Sequence, residues 1–303
     1  LKFDAVGFGA LNVDRLFQVN EIAVGDEESF ITGSQESCGG SAANTIIGLT
    51  RLGVSTGYVG KVADDREGRL LVSKLQGETV DIAGIVVEKE GRTGSTMDFV
   101  GEEGDRALYV DPGVNDNIRL NEIDLDYVRE TRFLHLTSFV GETSFQSQIG
   151  LIQQLPEHVL VSLDPGMFYA KRGLKSLAPI MRRAFTVLPN ETELRLLTGE
   201  EYCDGAQKLI EAGVKVVGVK LGKQGCYVTD GHEDVELEAP RMPVVDTTGA
   251  GDAWNAGFLY GLMKKKDLTG CARLGNWVAS KCITELGATT GLPTRNQLSE
   301  VLE

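Results

Sequence analysis

Apolar runs bounded by glycines recur along the chain, and helical patterns lie between them. Phe3–Gly9, Thr56–Val62, Phe133–Thr137, Val159–Asp164, Phe185–Pro189, Val214–Leu221 and Gly225–Thr229 read as buried strands. Ala42–Leu52 has apolar positions at helical spacing and ends at Gly53, a fitting residue just beyond a helix. Arg66–Gln76, Ala253–Lys265 and Leu268–Glu285 read as further helices. Strand–helix alternation over most of the chain predicts a largely parallel sheet covered by helices. Two stretches break the rhythm. Arg15–Ser37 holds the strand-like LFQVN and ESFIT, and Thr93–Val110 holds TGSTMDFV and RALYV around a turn at Gly101–Asp105. Both read as excursions that build a small separate sheet, whose apolar face needs a ligand or a partner to cover it.

Composition narrows the function. The 303 residues carry 30 Lys and Arg against 44 Asp and Glu, a net charge of −14. That balance opposes nucleic-acid binding and an anionic membrane surface. Small anionic ligands remain open, because backbone amides at helix N-termini bind them without net positive charge. The five cysteines are widely spaced with no CxxC pair, and the three histidines are isolated, which predicts reduced cytoplasmic thiols and no zinc site. No apolar run is long enough to span a membrane, and the first residues read as a strand, not a signal peptide.

The strongest chemical signal is VVDTTGAGDAWNAGFLYGL, Val244–Leu262. Gly249, Ala250 and Gly251 form a tight turn into a helix, where converging amides make a hole for the charge on a transferring phosphoryl group. Asp252 falls in the first helical turn, placed to take a proton from an attacking hydroxyl; a simple capping role is the plain alternative. Gly39 and Gly40 precede a helix bearing Asn44, whose amide suits a polyol. Asn12 and Asp14 alternate with Val13 and so share one face, again fit for sugar hydroxyls. Asn190 and Glu193 follow a strand at i, i+3, equally suited to a hydrated Mg²⁺ and to a capping box. Lys220, Gly222 and Gly225 sit in a strand–turn–strand whose glycines offer a nucleotide close backbone approach. Gly7–Asn12 imitates a dinucleotide fingerprint but lacks its third glycine, and no Walker A loop is present.

Together these residues resemble the ribokinase-like, or PfkB, family of carbohydrate and nucleoside kinases. The resemblance covers nearly the whole chain: GGSAANTIIGLTRLG is similar to the family's N-terminal signature, and DTTGAGDAWNAGFLYGL to its C-terminal one. It implies an α/β fold with a mostly parallel sheet flanked by helices, at residues 1–13, 38–92 and 111–303, and a small β-sheet lid at 14–37 and 93–110. It implies Asp252 as general base, Gly249, Ala250 and Gly251 as anion hole, and Asn12, Asp14, Gly39, Gly40 and Asn44 about the acceptor. Asn190, Lys220, Gly222, Gly225 and Asn276 are implied at the nucleotide, Asn190 and Glu193 at Mg²⁺ through water, and Asp246, Thr248 and Gly287 at a K⁺. Met97 and Phe99 share a face; turned to the cleft it meets a base or sugar ring, and turned outward it packs on a second subunit's lid to form a homodimer. Ribokinases proper usually carry Lys where this chain has Ser41; Arg92 and Arg106 flank the hairpin and read first as solvated surface arginines, with reach to a substrate phosphate as the alternative. The expected function is therefore phosphoryl transfer from ATP to a sugar or nucleoside hydroxyl. The alternatives are a kinase of a phosphorylated sugar, with ADP as a second donor, and a non-catalytic sensor on the same scaffold.

Overall fold

The computed structural model describes residues 1–102 and 105–302. The centre of the turn expected at Gly101–Asp105, residues 103 and 104, lies outside the described residues, as does the side chain of Arg106. Nine strands form one large sheet: β1 (Phe3–Phe8), β4 (Thr56–Ala63), β5 (Asp81–Glu88), β8 (Thr131–Thr137), β9 (Leu160–Asp164), β10 (Ala184–Val187), β11 (Val216–Lys220), β12 (Cys226–Thr229) and β13 (Asp234–Leu237), in the order β13-β12-β11-β10-β9-β8-β1-β4-β5. Pairing is parallel from β5 to β11, and at the edge β12 is reversed, pairing antiparallel with both β11 and β13. The central strands are apolar runs because both faces are covered. The longer helices are α1 (Ser41–Arg51), α2 (Arg66–Gly77), α3 (Glu142–Gln153), α4 (Gly173–Met181), α5 (Glu191–Thr198), α6 (Tyr202–Glu211), α7 (Ala250–Met263) and α8 (Leu268–Cys282). On one face of the sheet α1, α2, α7 and α8 bury Ile46, Leu71, Phe258 and Val278 with Tyr58 and Phe133. On the other, α3 to α6 bury Leu151, Leu177, Leu194 and Leu209 with Leu134 and Val161.

The second sheet has the order β3-β2-β6-β7, from β2 (Asn12–Val19), β3 (Ile31–Gly39), β6 (Gly94–Val100) and β7 (Arg106–Asp111). β2 and β6 pair in parallel although some 80 residues separate them, with Asp14 beside Thr96 and Leu16 beside Asp98. The chain thus leaves the large sheet twice, and the two excursions join edge to edge. β3 departs from expectation: it begins near the end of ESFIT and continues through the polar Thr32–Ser37, held by pairing with β2 rather than by an apolar face.

Candidate active site

The site residues gather at the carboxyl ends of neighbouring parallel strands, where an open α/β sheet leaves its crevice. β1 leads to Asn12, β9 ends at Asp164, β10 leads to Asn190 and β11 ends at Lys220. A cavity of about 290 Å³ lies between this edge and the small sheet. Asn12, Asp14, Thr96 and Asp98 line it from one side, and Gly40, Asn44, Gly249 and Asp252 from the other.

Gly249 opens α7 with φ of +75°, and a Cβ there would stand 2.5 Å from that of Ala288, so both torsion and space demand glycine. The first amides of α7 have no partner within the helix, although that of Ala250 donates to the Thr247 carbonyl at 3.2 Å, and Gly249 and Asp252 line the cavity. Asp252 follows one turn in. Asn44 Nδ2 donates to its Oδ2 at 2.8 Å, and Thr45 Oγ1 donates to its carbonyl at 3.2 Å, so the starts of α1 and α7 are tied together. Burial, assisted by the charge of Asp164, pushes the Asp252 carboxyl up to about 7, against the opposing pull of Asn44, Lys220 and Ser41. A carboxylate so poised takes a proton near neutral pH.

Beneath the helix start lies a buried ion pair. Lys220 Nζ meets Asp164 Oδ2 at 2.6 Å, and Asn255 Nδ2 donates to the same oxygen at 2.6 Å. Burial alone would neutralise both groups, yet each holds the other charged: Asp164 is lowered and Lys220 raised. Lys220 Nζ stands beside the start of α7, 3.6 Å from where a Cβ on Gly251 would be. Asp164 and Asn255 were not singled out from the sequence. The available signal was an acid at the carboxyl end of a parallel strand, and an Asn one turn beyond Asp252 on the same helix face.

Asn190 and Glu193 form a reciprocal capping box, each side chain bonded to the other's backbone amide at 2.8 Å. Glu193 is 8% exposed, and burial with the nearby Asp164 charge lifts it to about 7. Gly222 and Gly225 shape the β11–β12 turn, and a Cβ on Gly225 would meet the Leu237 carbonyl. Asp246 accepts from the Thr248 amide at 2.9 Å and from the Gly287 amide at 2.8 Å, stapling two loops behind Gly249.

Three expectations shift. Asn276 offers no free amide to a nucleotide: its Oδ1 accepts from Trp254 Nε1, and its Nδ2 donates to the carbonyls of Leu237 and Glu238. It braces α8 against the end of β13. Phe99 does not face the cavity. The β2–β6 register puts Thr96 and Asp98 on the cavity side, so Phe99 turns to the opposite face and stacks on Phe17 at 5.1 Å. Gly39 gives room: a Cβ there would fall on the Asp14 carboxylate, which accepts from Thr96 Oγ1 at 2.7 Å.

A family model described as pfkB family carbohydrate kinase matches residues 3–295. The chain belongs to the pfkB family. A sugar kinase of uncharacterised specificity from Archaeoglobus fulgidus is 47% identical over 250 residues, 82% of this chain and 98% of the relative. Fructokinase-1 of Zea mays is 27% identical over 98% of this chain and 97% of its own length. The ribokinase of Arabidopsis thaliana, solved with ribose and ATP, superposes with a TM-score of 0.86 at 26% identity, covering 100% of this chain and 99% of that one. As a pfkB kinase the protein transfers the phosphoryl group of ATP to a sugar hydroxyl. No helix among the described residues is long and apolar enough to cross a membrane.

Proposed function

We propose that this pfkB kinase phosphorylates an uncharged sugar or nucleoside held between Asn12, Asp14 and Asn44, with Asp252 as the general base. One observation carries the reading. A single cavity joins the polar face of the small sheet to Asp252 and the Gly249 turn, so an acceptor hydroxyl bound there meets base and anion hole together. The small sheet acts as a lid that excludes water, the competing acceptor. Arg15 also lines the cavity, but its guanidinium is engaged by Glu67 at 2.7 Å and Glu36 at 3.4 Å. Arg92 is paired with Asp111. These engagements favour an uncharged acceptor over a sugar phosphate.

Lys220 and the α7 amides neutralise charge gathering on the moving phosphoryl group, while Asp252 receives the hydroxyl proton as that oxygen attacks. The residues fit a magnesium ion held through water: the Glu193 carboxyl is raised first by burial and then by its neighbour Asp164, and a cation relieves that repulsion. When bound, the metal supplies charge neutralisation on the phosphate oxygens. A potassium ion behind the anion hole would draw on the Thr248 and Ala288 carbonyls, whose partner in the fold is the weak Cys282 thiol donor. The free thiols accord with a reducing cytoplasm. ATP consumption over pentoses, hexoses, nucleosides, sugar acids and sugar phosphates tests the reading. Turnover concentrated on a free sugar or nucleoside supports it, and turnover confined to a sugar phosphate overturns it.

A further inference from the structure

Asn115 lies in the short turn Gly113–Asn117 after β7 and is 1% exposed. Its carboxamide orientation is forced by chemistry. The Leu11 amide can only donate, so the atom 3.0 Å from it is Asn115 Oδ1. Nδ2 then donates to the Leu11 carbonyl at 2.9 Å and to the Asn12 side chain at 2.9 Å. A donor needs an acceptor, so the Asn12 atom it meets is Oδ1, and the Asn12 NH₂ is left for the cavity that Asn12 lines. Among the described residues nothing in the fold takes those hydrogens.

The position of Asn115 adds a second point. Three crossings between the sheets converge on its amide. Leu11–Asn12 opens β2. Gly94 opens β6, and a Cβ there would stand 2.2 Å from Asn115 Nδ2. Pro112 follows β7, and its carbonyl accepts from the Asn115 amide at 3.1 Å. The Asn115 carbonyl is in turn anchored by Ser144 Oγ of α3 at 2.6 Å.

We propose that Asn115 is a positioning residue for the acceptor, fixing the Asn12 carboxamide as a donor to an acceptor oxygen and tying that orientation to the hinge of the lid. This rests on the acceptor pocket described above. Asn115→Asp tests it. The carboxylate still accepts from the Leu11 amide but loses both donors, and it draws the Asn12 NH₂ away from the cavity. Acceptor KM is expected to rise at least tenfold, about the scale of one lost hydrogen bond. ATP KM should stay within about twofold and kcat within about threefold of the parent. Asn12→Ala should show the same split, and the double variant should lose nothing further, since both changes remove one contact. If Asn115→Asp fails to fold, Asn115→Ser, uncharged and too short to reach Asn12, carries the same expectations. Additive losses, a parallel rise in ATP KM, or an unchanged acceptor KM would each overturn the role of Asn115. A parent enzyme inactive on every acceptor overturns the pocket reading itself, and this inference with it.

Discussion

Asp252 carries two demands that conflict. The proposed role as general base wants it ionised, and the fold wants it neutral. Its carboxyl sits near 7 in the folded chain against an ordinary 3.8, so between those values the folded state holds a proton that the unfolded state releases. Stability from this group is therefore complete below pH 3.8 and is lost as pH climbs through 7. Asp252→Asn should raise Tm by at least about 2 °C at pH 8 and by less at pH 5. The same variant should lower kcat by about 10²–10⁴-fold with ATP affinity intact. In the parent, kcat/KM for the acceptor should climb as pH passes about 7 and level off above; a flat profile from pH 5.5 to 8 would remove Asp252 as the base. His135 presents the reverse case: burial lowers it to about 4, so it stays neutral beside Ser162 throughout this range.

At the scale of elements, two neighbouring glycines do different jobs. Gly249 has φ of +75° and Ala288 behind it, whereas a Cβ on Gly251 would meet only the Lys220 side chain, at 3.6 Å. Gly249→Ala should cost at least about 1–2 kcal/mol, seen as a shifted urea midpoint. Gly251→Ala should keep or improve stability, as alanine does in a helix, yet cut kcat about tenfold or more by placing a methyl over the Lys220 ammonium. Equal Tm values for the two variants would refute this division. The sequence made the α7 turn plain because Gly, Ala, Gly and Asp lead straight into a long helical pattern, although the strand expected to end at Asp246 is absent and β13 stops at Leu237. It did not reveal β3, whose polar residues face the cavity and solvent and so leave no alternation to read. Nor did it orient Phe99: alternation paired it with Met97, but only the register against β2 shows which face meets the cavity. For Asp164 and Asn255 the local signal was only a strand end and a helix face, and the contact that gives it meaning, with Lys220, is distant in the chain.

For the whole molecule, the junction between lid and α2 is ionic. Arg15 and Glu36 belong to the lid, Arg66 and Glu67 to α2, and they alternate as Arg15–Glu67 at 2.7 Å and Arg66–Glu36 at 2.7 Å. Such partly exposed pairs are each worth about 0.2–1 kcal/mol and weaken with salt. Acceptor KM should therefore rise about two- to fivefold between about 0.05 and 0.5 M NaCl at a fixed K⁺ concentration, and Glu67→Gln should flatten that dependence. The far face of the lid carries Phe17 stacked on Phe99, with Tyr109 61% exposed. A second copy is expected to cover it, and Tyr109→Asp should then halve the mass seen in sedimentation at micromolar concentration. A parent that sediments as a monomer would refute this.

The seam between β2 and β6 also sets an order of opening. Its two strands are separated in the chain by β3, α1, β4, α2 and β5. What the seam lacks is cover: β3 beside it is mostly exposed, whereas β1 and β8 are buried along most of their length. The lid should be the first part of the molecule to open in the native ensemble. Amide exchange would show this as one shared opening of Asn12–Val19 and Gly94–Val100, at lower free energy than that of β1 and β8. When the seam opens, the Asp14 and Thr96 side of the cavity loosens while the Asp164–Lys220 pair and the start of α7 stay in place.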